Sequence, residues 1–241
     1  TPGSGTPNVT VFAANFESGL DGFTINNAGP DGIPGTADDG LWHRSNGRGN
    51  NAGRSPTFGL YYGQNETIAG GGNYDTGSTN SGVVTSPVIN LPAGSSLNLG
   101  LNYFIQTEGG GFFDVASISV FDVAAGTTTL LGDNSAGNLL ADPSNGFRAL
   151  SADISQFAGR QIQLVFSFDT GDDLFNNFEG LYIDDVTVTS IGTPGDVVIV
   201  ARDVNGVLLP VQPVVTAITP LNSNALGATQ FRVDFTAQST P

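Results

Sequence analysis

The chain has 241 residues, with 7 Lys+Arg against 22 Asp+Glu, a formal net charge of −15, 39% hydrophobic residues, and neither cysteine nor methionine. All seven cations are arginines, so no basic stripe exists to neutralise phosphates, and nucleic-acid binding is excluded as a role. Without cysteine there are no disulfides and no thiolate metal sites, and no apolar run approaches the ~20 residues of a membrane-spanning helix. The acidic balance fits a soluble, calcium-rich extracellular setting, and the missing initial methionine reads as a processed or excised piece, already without a signal peptide.

Gly 34 and Pro 13, with Asn, Ser and Thr throughout, describe short strands joined by many turns. Residues 1–8 read as a Gly/Pro/Ser/Thr linker, and Asn8-Val9-Thr10 and Asn65-Glu66-Thr67 have the form of glycosylation sequons. A first strand is expected over Val9 to Phe16. The segment Pro30 to Gly40 then sets Asp31, Asp38 and Asp39 among glycines and carbonyl-exposing turn residues. Such oxygens suit calcium, and a plain Asp/Gly turn cluster is the alternative. Trp42, the lone His43 and Arg44 follow, with Arg48 and Arg54 in the same loop-like stretch. Tyr61, Tyr62 and Tyr74 flank a glycine-rich loop. Trp42, Arg44 and these tyrosines are candidate ligand contacts, because flat aromatic faces stack on sugar rings; burial in a sandwich core is the commoner fate of such side chains.

From Val83 the strand periodicity is clearer. Strands are expected over Val83 to Leu91, with Pro87 at a start or edge, over Leu97 to Ile105, and over Val115 to Val123 paired with Thr127 to Leu131 across Ala125-Gly126. Phe147 to Ile154 is another, followed by at most one helical turn at 155–160, then Ile162 to Phe168. Asp169, Asp172 and Asp173 form an acidic loop. In the closing strand, Glu179 to Val188, Leu181 and Ile183 occupy odd positions, whereas Val186 and Val188 occupy even ones. Side chains alternate faces along a strand, so keeping all four in one core requires an extra residue, a β-bulge, near Asp184-Asp185. Two adjacent carboxylates there call for a cation, with calcium suited to the task, or else they are solvated acids on an edge strand. Nine or ten strands with turn signals between them predict an all-β, two-sheet antiparallel sandwich or jelly roll. After a linker at 191–196, strands at Val197 to Ala201, Val207 to Leu209, Val214 to Ile218 and Phe231 to Phe235 predict a separate β-rich tail over 197–241.

Phe16-Glu17-Ser18, Ser86-Pro87-Val88-Ile89-Asn90-Leu91-Pro92 and Gly180-Leu181-Tyr182-Ile183-Asp184-Asp185-Val186 resemble the MAM-like jelly-roll domains of secreted bacterial proteins, over residues 9–190. The resemblance implies a calcium ion tying the first strand to the last, through Glu17 and Asp185 with Asp184 possible, and a secreted or cell-surface location. The cysteines of vertebrate members are missing. The tail from about Pro210 is similar to the opening strands of an Ig-like repeat.

Three functions compete. The first is a non-catalytic, calcium-stabilised extracellular module that binds a glycan or surface protein. The second is a structural subunit of a surface layer, sheath or filament, self-associating through edge strands and the C-terminal tail. The third is a hydrolase or its accessory domain, with Asp114, Asp169, Asp172, Asp173 and Glu179 as the available acids; a triad or typical zinc site has little to work with.

Overall fold

The computed structural model describes residues 7–108, 112–135 and 138–192, and the backbone of two further strands at 214–223 and 229–236. The chain divides into two compact units, one running from Pro7 to Gly192. The expected strands at Val197 to Ala201 and Val207 to Leu209 lie outside the described residues; those at Val214 to Ile218 and Phe231 to Phe235 fall within Val214–Ser223 and Thr229–Thr236, which pair antiparallel as a two-stranded sheet of the other unit.

The larger unit is the predicted all-β sandwich. In chain order its strands are β1 Val9–Ala14, β2 Thr24–Asn26, β3 Trp42–Ser45, β4 Gly59–Tyr62, β5 Ser81–Thr85, β6 Ile89–Asn90, β7 Ser96–Gln106, β8 Val115–Asp122, β9 Thr127–Asp133, β10 Arg148–Asp153, β11 Gln161–Asp169 and β12 Gly180–Ile191. One sheet has the order β10-β7-β12-β4-β3, with β1 also on β12; the other has β2-β5-β11-β8-β9, with β6 also on β11. Every pairing is antiparallel. Alternation builds the core, as period two demands. Leu97, Leu99, Leu101, Tyr103 and Ile105 of β7 face Ile162, Leu164, Phe166 and Phe168 of β11 across a shared interior that also takes Ala116, Ile118 and Val120 of β8.

Two local expectations change. The single strand over Val83 to Leu91 is two strands, β5 and β6, because Pro87 has no N–H to offer and Ser86 takes over: its hydroxyl accepts the Leu164 N–H at 2.8 Å. The residues read as loop around Trp42 and Tyr61 are strands, β3 paired with β4 from Trp42↔Tyr62 to Ser45↔Gly59. β4 is buried at all four positions and β3 only at its two ends, so neither shows the period-two alternation that marks a strand.

The bulge stands where the phase change requires it. Pairing of β12 with β7 slips between Asp184 and Thr187, and Asp185 takes up the extra residue in the left-handed region, at φ 50°. Leu181, Ile183, Val186 and Val188 thereby all enter the same core. On its other half β12 pairs with β1, from Ala14↔Val186 to Val9↔Ser190, so the first and last strands of the unit lie side by side.

Candidate functional site

At the bulge the side chains of Glu17 and Asp184 are bridged by Ser55, whereas Asp185, the residue that the resemblance pairs first with Glu17, faces Asn102. The Ser55 hydroxyl is 3.0 Å from Glu17 Oε1 and 3.0 and 3.1 Å from the two oxygens of Asp184. Arg54 donates from Nε to Asp184 Oδ2 at 3.0 Å, with both side chains buried. Glu17 Oε1 also accepts the N–H groups of Thr57 and Phe58, each at 2.9 Å. Burial pushes the Glu17 carboxyl up, but those two N–H groups, the Ser55 hydroxyl and the Arg54 charge outweigh it and hold the pKa below the ordinary range. Burial dominates at Asp184: although Arg54, the Asp185 N–H and Ser55 pull down, its pKa is pushed up to about 6. Asp185 turns elsewhere. It accepts from Asn102 Nδ2 at 2.9 Å and, with Asp21 and Asn15, lines a shallow cleft of about 370 Å³.

The calcium clasp implied by the MAM-like resemblance does not fit these residues. Both Asp184 oxygens and Glu17 Oε1 already have donors, and a buried guanidinium supplies the countercharge. The buried side-chain atom left without a partner at this place is Arg54 Nη2, a donor. A surplus donor is relieved by an acceptor, not by a second cation. Among the described residues no group of three or more His, Asp or Glu side chains is disposed to hold a metal ion. In the Pro30 to Gly40 loop, Asp38 Oδ1 accepts the Thr36 hydroxyl at 2.6 Å, Asp31 Oδ1 accepts the Ile33 N–H at 2.7 Å and Asp39 Oδ2 the Gly35 N–H at 2.7 Å. These bonds are those of an Asp-rich turn.

The aromatic residues singled out as ligand contacts are not available for stacking. Trp42, Tyr61, Tyr62 and Tyr74 are all buried. Trp42 Nε1 donates to the Gly82 carbonyl at 3.0 Å, and the Tyr62 hydroxyl to Asn80 Oδ1 at 2.5 Å. Tyr61 stacks on Tyr182, ring centroids 4.1 Å apart, on the outer face of the first sheet, where Phe104 and Phe147 complete a second apolar cluster. Arg48 covers this cluster: its guanidinium lies 3.5 Å over the Phe104 ring and makes a bidentate pair with Glu179, both contacts 2.6 Å. Glu179, one of the acids considered for catalysis, is thereby committed to a buried ion pair. Arg44 is committed as well, donating to the carbonyls of Phe16 at 2.5 Å and Glu17 at 2.8 Å. His43 is held between the Leu41 carbonyl at 2.9 Å and Glu66 Oε1 at 2.8 Å.

Two adjoining loops, β7–β8 and β11–β12, each carry a pair of exposed apolar side chains. Phe112 is 87% exposed, Phe113 44%, Leu174 57% and Phe175 69%. The two loops touch: the Gly171 backbone lies against Phe113, 3.2 Å from a ring carbon to where a Cβ would stand. Phe175 also has a left-handed backbone, φ 57°, which a bulky non-glycine residue adopts only under constraint. Beneath the tips, Asp114 is fully buried and anchors the loops. Its Oδ2 accepts the Tyr74 hydroxyl at 2.5 Å and the Glu108 N–H at 3.2 Å, its N–H reaches the Thr170 carbonyl at 3.0 Å, and its carbonyl accepts from Asn134 Nδ2 at 2.8 Å. Burial pushes the Asp114 carboxyl up to about 6; the Tyr74 and Glu108 hydrogen bonds pull it down, while the charges of Glu108 and Asp172 add to the rise. Sequence reasoning passed over Phe112, Phe113, Leu174 and Phe175, although their apolar character inside Gly/Asp-rich loops was the available signal.

No protein-family model matches the chain, and no curated protein matches it; the MAM-like likeness of its motifs stays a resemblance. No helix among the described residues is long and apolar enough to cross a membrane. Among solved structures, the chain is similar to the K3 cleaved adhesin domain of Lys-gingipain from Porphyromonas gingivalis, at 16% identity over 76% of this chain and 99% of that one, with a TM-score of 0.44. It is also similar to the C-terminal family 22 carbohydrate-binding module of Clostridium thermocellum Xyn10B, at 15% identity over 79% and 97% of the two chains, TM-score 0.40. A third is the CBM22-1–GH10 portion of the same xylanase, at 14% identity and TM-score 0.39, where the match covers 75% of this chain and 28% of that one.

Proposed function

We propose that the larger unit is a non-catalytic extracellular binding module whose contact surface is the paired loop tips Phe112, Phe113, Leu174 and Phe175, and whose ligand is a neutral glycan. The observation that carries this reading is Phe175, where an exposed aromatic ring coincides with a strained backbone. Either feature alone is tolerated on a surface; together they describe a ring held out for contact. A phenyl face packs on the C–H face of a sugar ring, and the neighbouring acids Glu108, Asp172 and Asp173 offer acceptors to its hydroxyls. The net charge of −15 and those same acids disfavour sulfated or uronic polysaccharides, which selects a neutral one.

The test is affinity electrophoresis or a glycan array with wild type and a Phe112→Ala/Phe175→Ala double variant. Retention on a neutral polysaccharide, lost in the variant with its melting temperature unchanged, is expected. Failure of the wild type to bind any neutral glycan, or equal retention of both proteins, would refute the reading. Retention of a protein partner or of a second copy in place of glycan would favour the structural-subunit alternative.

A further inference from the structure

The hydrogens around His43 and Glu66 can be placed in one way. The Ser45 hydroxyl accepts the Gly47 N–H at 2.9 Å and gives its own hydrogen to Glu66 Oε1 at 2.5 Å. His43 Nδ1 faces the Leu41 carbonyl at 2.9 Å; a carbonyl only accepts, so Nδ1 carries a hydrogen. Nε2 faces Glu66 Oε1 at 2.8 Å. Burial pushes the Glu66 carboxyl up, but the Ser45 and His43 bonds outweigh it and hold it below the ordinary range, so this oxygen is an acceptor as well. Nε2 then needs a second hydrogen, and the pair holds one proton more than a neutral imidazole beside a carboxylate. Glu66 is the one charged side chain paired with His43 among the described residues. Tyr61, which meets the ring edge-on at 5.4 Å, is neutral because burial pushes its hydroxyl up. Arg44, next in the strand, is spent on the Phe16 and Glu17 carbonyls, and Arg48 and Glu179 beyond Tyr61 neutralise each other.

Glu66 belongs to the β4–β5 loop. Backbone bonds between Gln64 and Asn73, at 2.7 and 3.0 Å, close the base of this loop, and bonds between Thr67 and Gly70, at 2.8 and 3.2 Å, close its tip. The tip lies over Arg48: the Arg48 N–H reaches the Thr67 carbonyl at 3.3 Å, and a Cβ on Gly70 would stand 3.0 Å from the Arg48 side chain and 2.9 Å from Glu179. Among the described residues, the side-chain hydrogen bonds from positions 64–73 to the sheet all run through Glu66, to His43 and Ser45. We infer that His43 and Glu66 form a proton-operated latch, which holds the β4–β5 loop over the Arg48–Glu179 pair at low pH and releases it as pH rises. Once Nε2 loses its hydrogen, its lone pair faces a carboxylate oxygen that already accepts from Ser45. The His43 side chain is 41% exposed, so the ring turns to water instead. The closed arrangement takes up a proton, so the stability it contributes is present at low pH and lost as pH rises.

Isotope-labelled full-length protein tests this by NMR at about pH 5.5 and about pH 8.5, on either side of ordinary imidazole titration. His43 is the chain's single histidine, so the ring signals are its own. The ring should carry hydrogens on both nitrogens at the lower pH and on one at the higher. The Thr67 and Gly70 N–H groups, with exchange measured relative to an unstructured peptide, should lose several-fold protection over the same interval. His43→Phe keeps a ring against Tyr61 but cannot donate, and its loop should be as weakly protected at both pH values as wild type is at the higher one. Glu66→Gln lets a neutral imidazole bond an amide, so its protection should not change with pH. The inference fails if the ring carries one hydrogen at the lower pH or two at the higher. It fails equally if wild-type protection is independent of pH, or if either variant keeps the wild-type pH dependence.

Discussion

The bulge at Asp184 and the loop base at Asp114 are two buried carboxylates treated in opposite ways. Asp184 has Arg54, a backbone N–H and a serine hydroxyl, and what remains unpaired beside it is a donor nitrogen. Asp114 has a tyrosine hydroxyl and one N–H on a single oxygen, acids for neighbours, and what remains unpaired is acceptor oxygen. Burial raises both to about 6, so acidity alone does not tell them apart. The sign of the unsatisfied group does: beside Asp184 it is a donor, at Asp114 it is an acceptor that no cationic side chain answers.

The largest effect that would break or sharpen this contrast comes from chain length. Deleting Asp185 removes the bulge residue and rotates Val186 and Val188 out of the core, so that no folded protein is expected by near-ultraviolet circular dichroism. Deleting Asp173 from the exposed β11–β12 loop should leave the sandwich folded, because loop length is a small entropic quantity. A folded protein lacking Asp185 would refute the register.

Next in size is removal of one partner from the buried pair. Arg54→Met leaves Asp184 uncompensated and should cost roughly 3–5 kcal/mol in urea unfolding, much of it recovered on adding Asp184→Leu. Asp114→Asn removes a carboxylate that lacks a cationic partner, and should be close to neutral. Equal losses at the two positions would erase the distinction.

The smallest effect is in pH dependence. Burial pushes the folded pKa of Asp114 up to about 6, above the ordinary carboxylate range. The folded state therefore holds this proton more tightly, so the group's stabilising contribution is present below that range and is lost as pH rises through about 6. Unfolding free energy should fall from pH 4 to pH 6 less steeply in Asp114→Asn than in wild type. Parallel curves would show that Asp114 does not titrate in this range. Asp184 contributes with the same sign, so the variant removes only part of the slope.

The frame was legible because it is periodic. β7, β11 and β12 alternate over nine to twelve residues, and the phase change at Asp184-Asp185 by itself requires a bulge. Trp42, Tyr61 and Tyr62 give no such signal, because β3 and β4 have four residues each and neither alternates between buried and exposed positions. The pairing of Asp184 with Arg54 has no sequence signal: the two lie 130 residues apart, and no spacing rule reaches that far. Asp114 was visible only as one acid among several, since its meaning comes from what its second oxygen lacks.

The side-by-side placement of β1 and β12 also determines how this unit carries mechanical load. Val9 pairs with Ser190, and the Gly192 N–H bonds to Asn8 Oδ1 at 2.9 Å, so both ends leave the sandwich at the same corner. Tension applied through residues 8 and 192 would peel the two strands apart one rung at a time, from Val9 toward Ala14, rather than shear all rungs at once. Such a zipper yields at low force, and its unzipping runs directly into the bulge, where Glu17, Ser55, Arg54 and Asp184 form the first obstacle to further extension.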